Sequence, residues 1–333
     1  MRLAVAGLGF MGSVHLKAIR SVPEVTLAAL VSRDESKLAG DLSHAGGNVA
    51  GSGERFDFSG VRKYRNLESA LADPEIDAID ICLPTDLHEQ AAIQSLRAGK
   101  HVLLEKPMAP TTAACERILD EARNANRVFM VAQVLRFFPA YRALIDAVPT
   151  LGAIRSATLR RRCARPEWAD WQSDPRRSGG AVLDLLIHDI DMALLLFGPP
   201  DAITATGREE RDIDIVSADL LYGARFTVQI VGGWHPGKFP LTMKYRAIGA
   251  DGSIEYDFNR YPPRICRAGV QATLPFEDRN GYAEEIAYFA RCVRSGEALV
   301  RCRPEESADA VRLALAIAAA RKRNGERIPW KSA

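Results

Sequence analysis

The sequence predicts an α/β domain with a parallel sheet, followed by an α+β domain with an open, mostly antiparallel sheet. Over the first ~130 residues, apolar strands alternate with helices at the spacing of βαβ units, which build parallel sheets. After about Tyr141 the strands follow one another without intervening helices, as in antiparallel sheets. We therefore divide the chain into residues 1–128 and 129–333, and the closing helices of the second part could pack back on the first domain.

In the first half, short apolar runs typical of buried strands alternate with longer segments of helical periodicity. The runs predict strands at Arg2–Ala6, Val25–Val31, Ala78–Cys82, His101–Glu105 and Val128–Ala132. Helices are predicted at about Gly12–Arg20, from Asp34 onward, and at Leu87–Leu96 and Thr112–Asn124. The polar, Gly-rich stretch Gly46–Gly60 predicts a loop insertion.

The second half begins with one long predicted helix, at about Ala181–Phe197. Strands are then predicted at Ala202–Arg208, Ile215–Tyr222, Phe226–Trp234, Leu241–Ile248 and Ser253–Phe258. Asp251-Gly252 marks a tight hairpin between the last two of them. Helices at Tyr282–Arg294 and Pro304–Asn324 are predicted to close the chain.

Composition narrows the class of protein. The chain has 333 residues, of which 47% are apolar, enough for about two packed domains. Its net charge of +2 gives no indication of a nucleic-acid or anionic-membrane partner, and no apolar stretch is long enough to span a bilayer. The six cysteines are scattered, without a Cys-x-x-Cys pair, so we expect reduced thiols in a cytoplasmic protein.

A glycine motif follows the first strand. Gly7, Gly9 and Gly12, with Phe10 and Met11 between them, fit the G-x-G-x-x-G pattern between a strand and a helix. Glycines there allow a tight turn and a close approach of the backbone to a pyrophosphate, which the helix N-terminus then binds. The sequence therefore predicts a dinucleotide-binding Rossmann domain.

The end of the second strand bears on the choice of cofactor. NAD-binding domains place an acid there, on the ribose 2′-hydroxyl. Here Val31 is followed by Ser32 and Arg33, which suit a 2′-phosphate, while Asp34 is better placed to cap the next helix. We predict NADP(H) over NAD(H), although Arg33 could also stack on adenine in an enzyme that uses NAD.

Lys106 follows the apolar run His101–Glu105 and precedes Pro107, which stops the strand. An ionisable side chain is thereby held at the carboxyl end of a strand, where open α/β sheets bind their ligands. The alternative is a strand-end charge that faces solvent, since Lys is rarely buried without a partner.

A second polar group lies on the long predicted helix, whose periodicity places Asp184, His188 and Asp191 on one face. Among apolar neighbours, a carboxylate beside an imidazole is costly unless the two act together or meet a ligand. His188 could also be a hydrogen-bonded core histidine, and we interpret Asp191 as a capping or structural carboxylate. Without a Glu-x-x-His or His-x-x-x-His pattern, we predict no metal site.

Taken together, these motifs resemble the glucose–fructose oxidoreductase/inositol dehydrogenase (Gfo/Idh/MocA) family over nearly the whole chain. The matching segments are Gly7–Gly12, Pro84–His88, Ala98–Pro107, Arg136–Tyr141, Gly179–Asp189 and the closing helices. The Glu-Lys-Pro motif at 105–107, combined with the Asp-x-x-x-His helix, is specific to this family. The long Gly46–Gly60 loop and the Ser32-Arg33 pair depart from its NAD-specific members.

The resemblance implies that Lys106, Asp184 and His188 converge beside the nicotinamide, and that the Lys106–Pro107 peptide is cis. We expect Pro84, Thr85, His88 and Glu105 to line the cofactor, and Arg136, Trp168 and Trp171 to contact substrate; His15 and His101 are expected to pack or hydrogen-bond. The resemblance also implies assembly as a homodimer or homotetramer through the second domain's sheet.

The activity these residues predict is oxidation of a secondary alcohol on a sugar, inositol or related polyol. His188 is the expected base because imidazole titrates near neutral pH, Lys106 would hold the reacting oxygen, and Asp184 would orient the substrate or relay the proton. The alternatives are a reductase of a non-sugar carbonyl, a lyase that oxidises transiently with bound cofactor, and a non-catalytic dinucleotide sensor.

Overall fold

Six parallel strands form the sheet of the first structural unit. This computed structural model describes residues 1–47, 53–167, 170–275, 277 and 279–330. The strands are β1 (Arg2–Ala6), β2 (Thr26–Val31), β3 (Arg62–Tyr64), β4 (Ala78–Ile81), β5 (His101–Glu105) and β6 (Phe129–Ala132). Their order is β3-β2-β1-β4-β5-β6, and each neighbouring pair is parallel. The strand order reverses between β1 and β4, the point at which such sheets bind ligands.

Helices connect these strands, and most begin at a residue whose side chain caps them. They are α1 (Phe10–Ile19), α2 (Glu35–Leu38), α3 (Leu67–Leu71), α4 (His88–Arg97) and α5 (Thr112–Ala125). The side chains of Asp34, Asn66 and Thr111 accept backbone N–H groups at the starts of α2, α3 and α5. The first unit comprises Met1–Val134 and Asn280–Ala308, with a short segment ending at Gln172.

The second unit contains a nine-stranded sheet. Its order is β14-β13-β12-β11-β7-β10-β9-β8-β15. The strands are β7 (Ile154–Ala164), β8 (Ala202–Glu210), β9 (Ile213–Tyr222), β10 (Phe226–His235), β11 (Thr242–Gly249), β12 (Ser253–Asp257), β13 (Tyr261–Arg267), β14 (Val270–Thr273) and β15 (Ile328–Pro329). All neighbours are antiparallel except β7 and β10. Burial alternates along β7 and β9, because successive side chains point to opposite faces.

The remaining helices follow β6. They are α6 (Pro139–Ala147), α7 (Asp170–Ser173), α8 (Pro175–Ser178), α9 (Gly180–Asp184), α10 (Ile187–Phe197), α11 (Gly281–Ser295) and α12 (Pro304–Lys322). Helix α11 belongs to the first unit and packs on α1 there. Helix α12 contains the boundary at Ala308, and its residues from Asp309 onward belong to the second unit.

The predicted fold class and the five predicted strands between Ala202 and Phe258 are confirmed, including the β11–β12 hairpin at Asp251-Gly252. The prediction of one helix over Ala181–Phe197 is wrong, because the chain turns at Leu185-Leu186 between α9 and α10. The helix after Asp34 is a single turn. Part of the predicted Gly46–Gly60 loop, residues 48–52, lies outside the described residues.

Two expectations from composition can be compared with the fold. All six cysteines are free thiols, and five of them are buried. Within the described ranges, no helix combines the length and the apolar character that crossing a bilayer requires.

Candidate active site

The glycine loop after β1 has the geometry of a pyrophosphate cradle. Gly7 has a φ of +99°, and a Cβ there would lie 2.5 Å from the carbonyl oxygen of Cys82. A Cβ at Gly12 would lie 2.0 Å from the carbonyl oxygen of Gly7, so the helix must pack against the loop without a side chain. A Cβ at Gly9, in contrast, would meet nothing within 4 Å. Gly9 therefore leaves open space at the N-terminus of α1, where a phosphate group fits.

The end of β2 exposes a guanidinium. Arg33 is exposed and, among the described residues, makes no ion pair, while the Ser32 hydroxyl accepts the N–H of Asp34 at 3.2 Å. Asp34 accepts the backbone N–H groups of Ser36 and Lys37 at 2.9 and 3.3 Å, which confirms its predicted role as a cap. Hydrogen bonds from Ser36 lower the pKa of this carboxyl. The end of β2 therefore presents the guanidinium of Arg33 and the hydroxyl of Ser32, while the carboxylate of Asp34 caps α2.

Lys106 follows β5 at the same edge of the sheet. The Lys106–Pro107 peptide is cis, as the resemblance implied. The Glu105 carboxylate is buried, and its Oε2 accepts the backbone N–H of Lys106 at 2.9 Å. Two ring nitrogens of His88 lie 2.8 Å from the carbonyl oxygens of Leu83 and Pro107. His88 is thus buried between two backbone carbonyls, where it joins the chain after β4 to the chain after β5.

The predicted cofactor residues of the first unit gather at the carboxyl ends of neighbouring strands. Phe10 and Met11 open α1 after β1, and Ser32 and Arg33 follow β2. Pro84 precedes, and the buried Thr85 begins, a short 3₁₀ turn after β4. Since Glu105 and Lys106 stand at the end of β5, four strands contribute to one edge.

In the second unit, a two-glycine turn leads into the helix that carries Asp184. Gly179 and Gly180 both have left-handed φ values, of +77° and +73°. Oδ2 of Asp214, on β9, accepts the N–H of Ala181 at 2.6 Å, and Oδ1 pairs with Arg321 at 2.5 Å. A Cβ at Gly180 would lie 2.6 Å from that same Oδ2, so glycine is required for the contact.

Asp184 ends α9 and is 8% exposed, whereas His188 lies in the first turn of α10 and is half-buried. The turn at Leu185-Leu186 replaces the regular i, i+4 spacing that one continuous helix would impose. Lys106 belongs to the first unit, and Asp184 and His188 to the second.

The two acids of α10 have arginine partners in the interior of the second unit. Nε of Arg161 donates to Asp189 at 2.7 Å, and a second nitrogen donates to the hydroxyl of Tyr141 at 3.1 Å. Burial raises the pKa of Asp189, and the guanidinium of Arg161 opposes that rise. Two nitrogens of Arg136 donate to Asp191 at 2.8 and 2.5 Å. The structural interpretation of Asp191 is thereby confirmed.

The residues predicted to contact substrate differ in how deeply they are buried. Arg136 is 2% exposed and its guanidinium pairs with Asp191 within the second unit, while its contact with substrate stays a prediction. Trp171 is half-buried in α7. Trp168 lies outside the described residues.

Sequence reasoning missed a buried charge cluster in the first unit. Nδ1 of His15, on α1, lies 2.9 Å from Oδ2 of Asp80 on β4, and its Nε2 lies 3.1 Å from Oε1 of Glu105. His15 therefore does hydrogen-bond, as expected, with the carboxylate of Asp80, and it makes an ion-pair contact with that of Glu105. The available signal was Asp80 itself, an acid within the otherwise apolar run Ala78–Cys82, which requires an interior partner.

This fold and this sheet edge define a dinucleotide-dependent oxidoreductase. Residues 1–133 match the family model described as "Oxidoreductase family, NAD-binding Rossmann fold", and residues 140–255 match "GFO/IDH/MocA C-terminal domain". The chain belongs to the Gfo/Idh/MocA oxidoreductase family, as the sequence motifs predicted.

Named relatives resemble the chain over most of its length. It is 29% identical over 321 residues to D-xylose 1-dehydrogenase (NADP(+)) 2 of Haloferax volcanii, with 91% of this chain and 94% of that protein covered. It is 26% identical to myo-inositol 2-dehydrogenase of Thermotoga maritima, with 89% of each covered. The crystal structure of aldose-aldose oxidoreductase from Caulobacter crescentus, complexed with glycerol, has the same fold, with a TM-score of 0.82, 22% identity and 99% of each chain covered.

Proposed function

We propose that this enzyme oxidises a secondary alcohol of a sugar, inositol or related polyol, or reduces the corresponding ketone, with a nicotinamide dinucleotide. The observation that carries the proposal is the placement of Lys106 at the end of β5, on the sheet edge that also holds the Gly7–Gly12 loop. The relatives named as xylose and inositol dehydrogenases support this class of substrate.

The glycine loop fits the dinucleotide, because Gly9 leaves the start of α1 open while Gly7 and Gly12 close the turn beneath it. When bound, the nicotinamide accepts or donates the hydride of the reaction. We propose NADP(H) as the preferred cofactor. Arg33 and Ser32 would hold the 2′-phosphate, since Asp34 is engaged as the cap of α2.

The roles proposed for the three polar residues follow from their chemistry. His188 would take the hydroxyl proton, since an imidazole is half protonated near neutral pH. The ammonium of Lys106 would donate to the reacting oxygen and stabilise negative charge that develops on it. Asp184, whose carboxylate is buried, would orient the substrate and keep His188 poised to receive the proton. Asp189 and Asp191 are excluded from these roles because arginines neutralise them.

We further propose that the enzyme is a cytoplasmic homodimer or homotetramer that assembles through the nine-stranded sheet. The free thiols support the compartment. Sedimentation velocity would measure the oligomeric state, and a monomer at micromolar concentration would contradict the assembly.

A substrate screen tests the function. Pentoses, hexoses, inositols and their keto forms are incubated with NAD⁺, NADP⁺ and the reduced forms, and absorbance of the reduced nicotinamide is followed. His188→Asn should keep dinucleotide affinity within about twofold and lower kcat by roughly 100-fold or more. Undiminished turnover by this variant would refute His188 as the base. Conversion of a sugar without net change in nicotinamide would indicate a lyase instead.

A further inference from the structure

His15 is a charged group in the interior of the first unit, and the proposed reaction does not use it. Its side chain is fully buried, as is that of Asp80. Nδ1 hydrogen-bonds Oδ2 of Asp80 at 2.9 Å, and Nε2 lies 3.1 Å from Oε1 of Glu105, an ion-pair contact without hydrogen-bond geometry. Because a neutral imidazole has only one N–H to donate, contact with two carboxylates favours the doubly protonated imidazolium.

The other groups that face this ring do not supply a competing cation. Sγ of Cys82 lies 3.6 Å from Nδ1 of His15, and burial raises the pKa of this thiol, which keeps it neutral. The ring of Tyr282, on α11, lies 6.0 Å away. On the far side of Glu105, the charge of Lys106 also lowers the pKa of that carboxyl, whereas burial lowers the pKa of His88 and favours its neutral form. Burial by itself would lower the pKa of His15, but the Asp80 carboxylate raises it well above its ordinary value.

The cluster has the spacing of a hydrogen-bond network. A metal site is the alternative to such a network. Two ligand atoms of one tetrahedral zinc ion lie roughly 3.3 Å or more apart, because each metal–ligand bond is about 2.0–2.1 Å long. Nδ1 of His15 and Oδ2 of Asp80 are closer than that, at 2.9 Å, the usual length of a charge-assisted hydrogen bond.

The network ends on the residue that precedes Lys106. Oε1 of Glu105 faces His15, and its Oε2 accepts the backbone N–H of Lys106 at 2.9 Å. Three elements are joined in this way: α1, which starts at the glycine loop, β4, and the end of β5. A carboxylate this deeply buried needs a counter-ion to stay ionised, and His15 supplies it.

We propose that His15 is a positioning residue for Lys106. Its buried positive charge, anchored by Asp80, holds the Glu105 carboxylate on the amide of Lys106 and so fixes the strand end against the helix that binds the dinucleotide. The effect of this role on catalysis rests on the proposed function, but the link from His15 through Glu105 to the Lys106 amide does not.

The test compares His15→Gln with His101→Gln. His101 lies at the opposite end of β5, where its Nδ1 accepts the N–H of Val128 at 3.0 Å, so its loss perturbs the same strand without touching Glu105. Hydrogen–deuterium exchange is measured at the Lys106 amide, the last one before Pro107. We expect exchange at least ~10-fold faster in His15→Gln and unchanged in His101→Gln. Equal exchange in wild type and His15→Gln would overturn the proposal.

The second readout is the pH dependence of kcat. Without its counter-ion, Glu105 should take up a proton at higher pH, and the neutral carboxyl should hold the Lys106 amide less firmly. The kcat of His15→Gln should therefore fall at acidic pH, with little change in dinucleotide affinity. The double variant His15→Gln/Glu105→Gln keeps Asp80, as the single variant does, but has no carboxylate on the Lys106 amide to titrate, so its kcat should fall less at acidic pH than that of His15→Gln. A uniform loss of kcat in His15→Gln, matched by His101→Gln, would indicate a merely structural role and overturn the proposal.

Two further outcomes are separable. If wild type turned over no substrate, the proposed function would fail, while the exchange experiment would still test whether His15 holds Glu105 on the Lys106 amide.

If His15→Gln did not fold, Glu105→Gln would replace it. Exchange at the Lys106 amide should then be ~3-fold faster, because a neutral oxygen accepts more weakly; exchange as slow as in wild type would overturn the proposal. Stabilisation of wild type by equimolar Zn²⁺, absent in His15→Gln, would also overturn it in favour of a metal site.

Discussion

Oδ2 of Asp214 accepts the N–H of Ala181 at 2.6 Å, although the two residues lie on different elements of the second unit. Its other carboxylate oxygen pairs with Arg321, and both partners are almost fully buried. One carboxylate thus fixes the start of the helix that carries Asp184 and also neutralises an interior guanidinium.

Replacing Asp214 should therefore be costly. Asp214→Ala removes the cap and one of the two carboxylates that pair with Arg321, the other being Glu209, so we expect a loss of about 2–3 kcal/mol in the free energy of unfolding. Asp214→Asn keeps an acceptor and should lose less. Glu210→Gln is the control, because its ion pair with Arg208 is exposed and worth ~1 kcal/mol or less. Urea denaturation measures all three, and a loss below 1 kcal/mol in Asp214→Ala would contradict the assignment.

Two glycines of the same loop should respond oppositely to alanine. A Cβ at Gly12 meets the Gly7 carbonyl oxygen at 2.0 Å, so Gly12→Ala should lower stability by about 1–3 kcal/mol even though alanine is the better helix former. Gly9→Ala has open space in the free protein and should be nearly as stable as wild type, but its methyl group occupies the approach to the phosphates. We expect its dinucleotide Kd to rise at least ~10-fold. Calorimetry and fluorescence titration separate the two effects.

Cofactor preference should depend on Arg33. Arg33→Gln removes the guanidinium proposed to bind the 2′-phosphate, so the Kd for NADPH should rise by roughly 10- to 100-fold while that for NADH changes little. Arg65→Gln is the matched control, since Arg65 follows β3 and pairs with Glu35. An unchanged ratio of the two Kd values in Arg33→Gln would refute the phosphate contact.

Arg136 should affect stability rather than substrate binding. Its guanidinium is buried against Asp191, so Arg136→Ala should lose about 3–5 kcal/mol of unfolding free energy. The double variant Arg136→Met/Asp191→Leu, which removes both charges, should recover much of that loss. A KM within twofold of wild type in a folded Arg136 variant would support the packing role, whereas a large rise in KM at full stability would restore the role of substrate contact.

Stability should follow the protonation of His15 and Glu105. The pKa of His15 is raised, so its contribution is complete below about 6.5 and is lost as pH rises through the folded value. The pKa of Glu105 is lowered by His15 and Lys106 against the effect of burial. Its contribution is present above about 4.5 and is lost as pH falls through the folded value. The difference in unfolding free energy between wild type and His15→Gln should therefore be largest between these limits. A difference independent of pH from 4 to 9 would contradict this.

Local signals in the sequence were sufficient for most of the strands and for the cofactor loop. Apolar runs bounded by turn residues located β1, β2, β4, β5 and β6, and the Gly7–Gly12 spacing located the phosphate cradle. The short strand β3, the edge strands β14 and β15, and the strand β13 next to β14 were missed. Few of their residues are fully buried, so the alternation that marks a core strand is weak or absent there.

What the sequence determined by itself was the fold class, the family and the position of Lys106 at a strand end, because each depends on residues that are close in the chain. Tertiary structure alone decided which charges pair with one another. Asp191 was predicted to be structural, but its partner Arg136, like the partner Arg161 of Asp189, is seen only in the fold, and His15 looks like an ordinary helix residue until Asp80 and Glu105 are placed beside it. The physical reason is that a buried charge must be paired, and its partner comes from a distant strand or helix that only folding brings within hydrogen-bond distance.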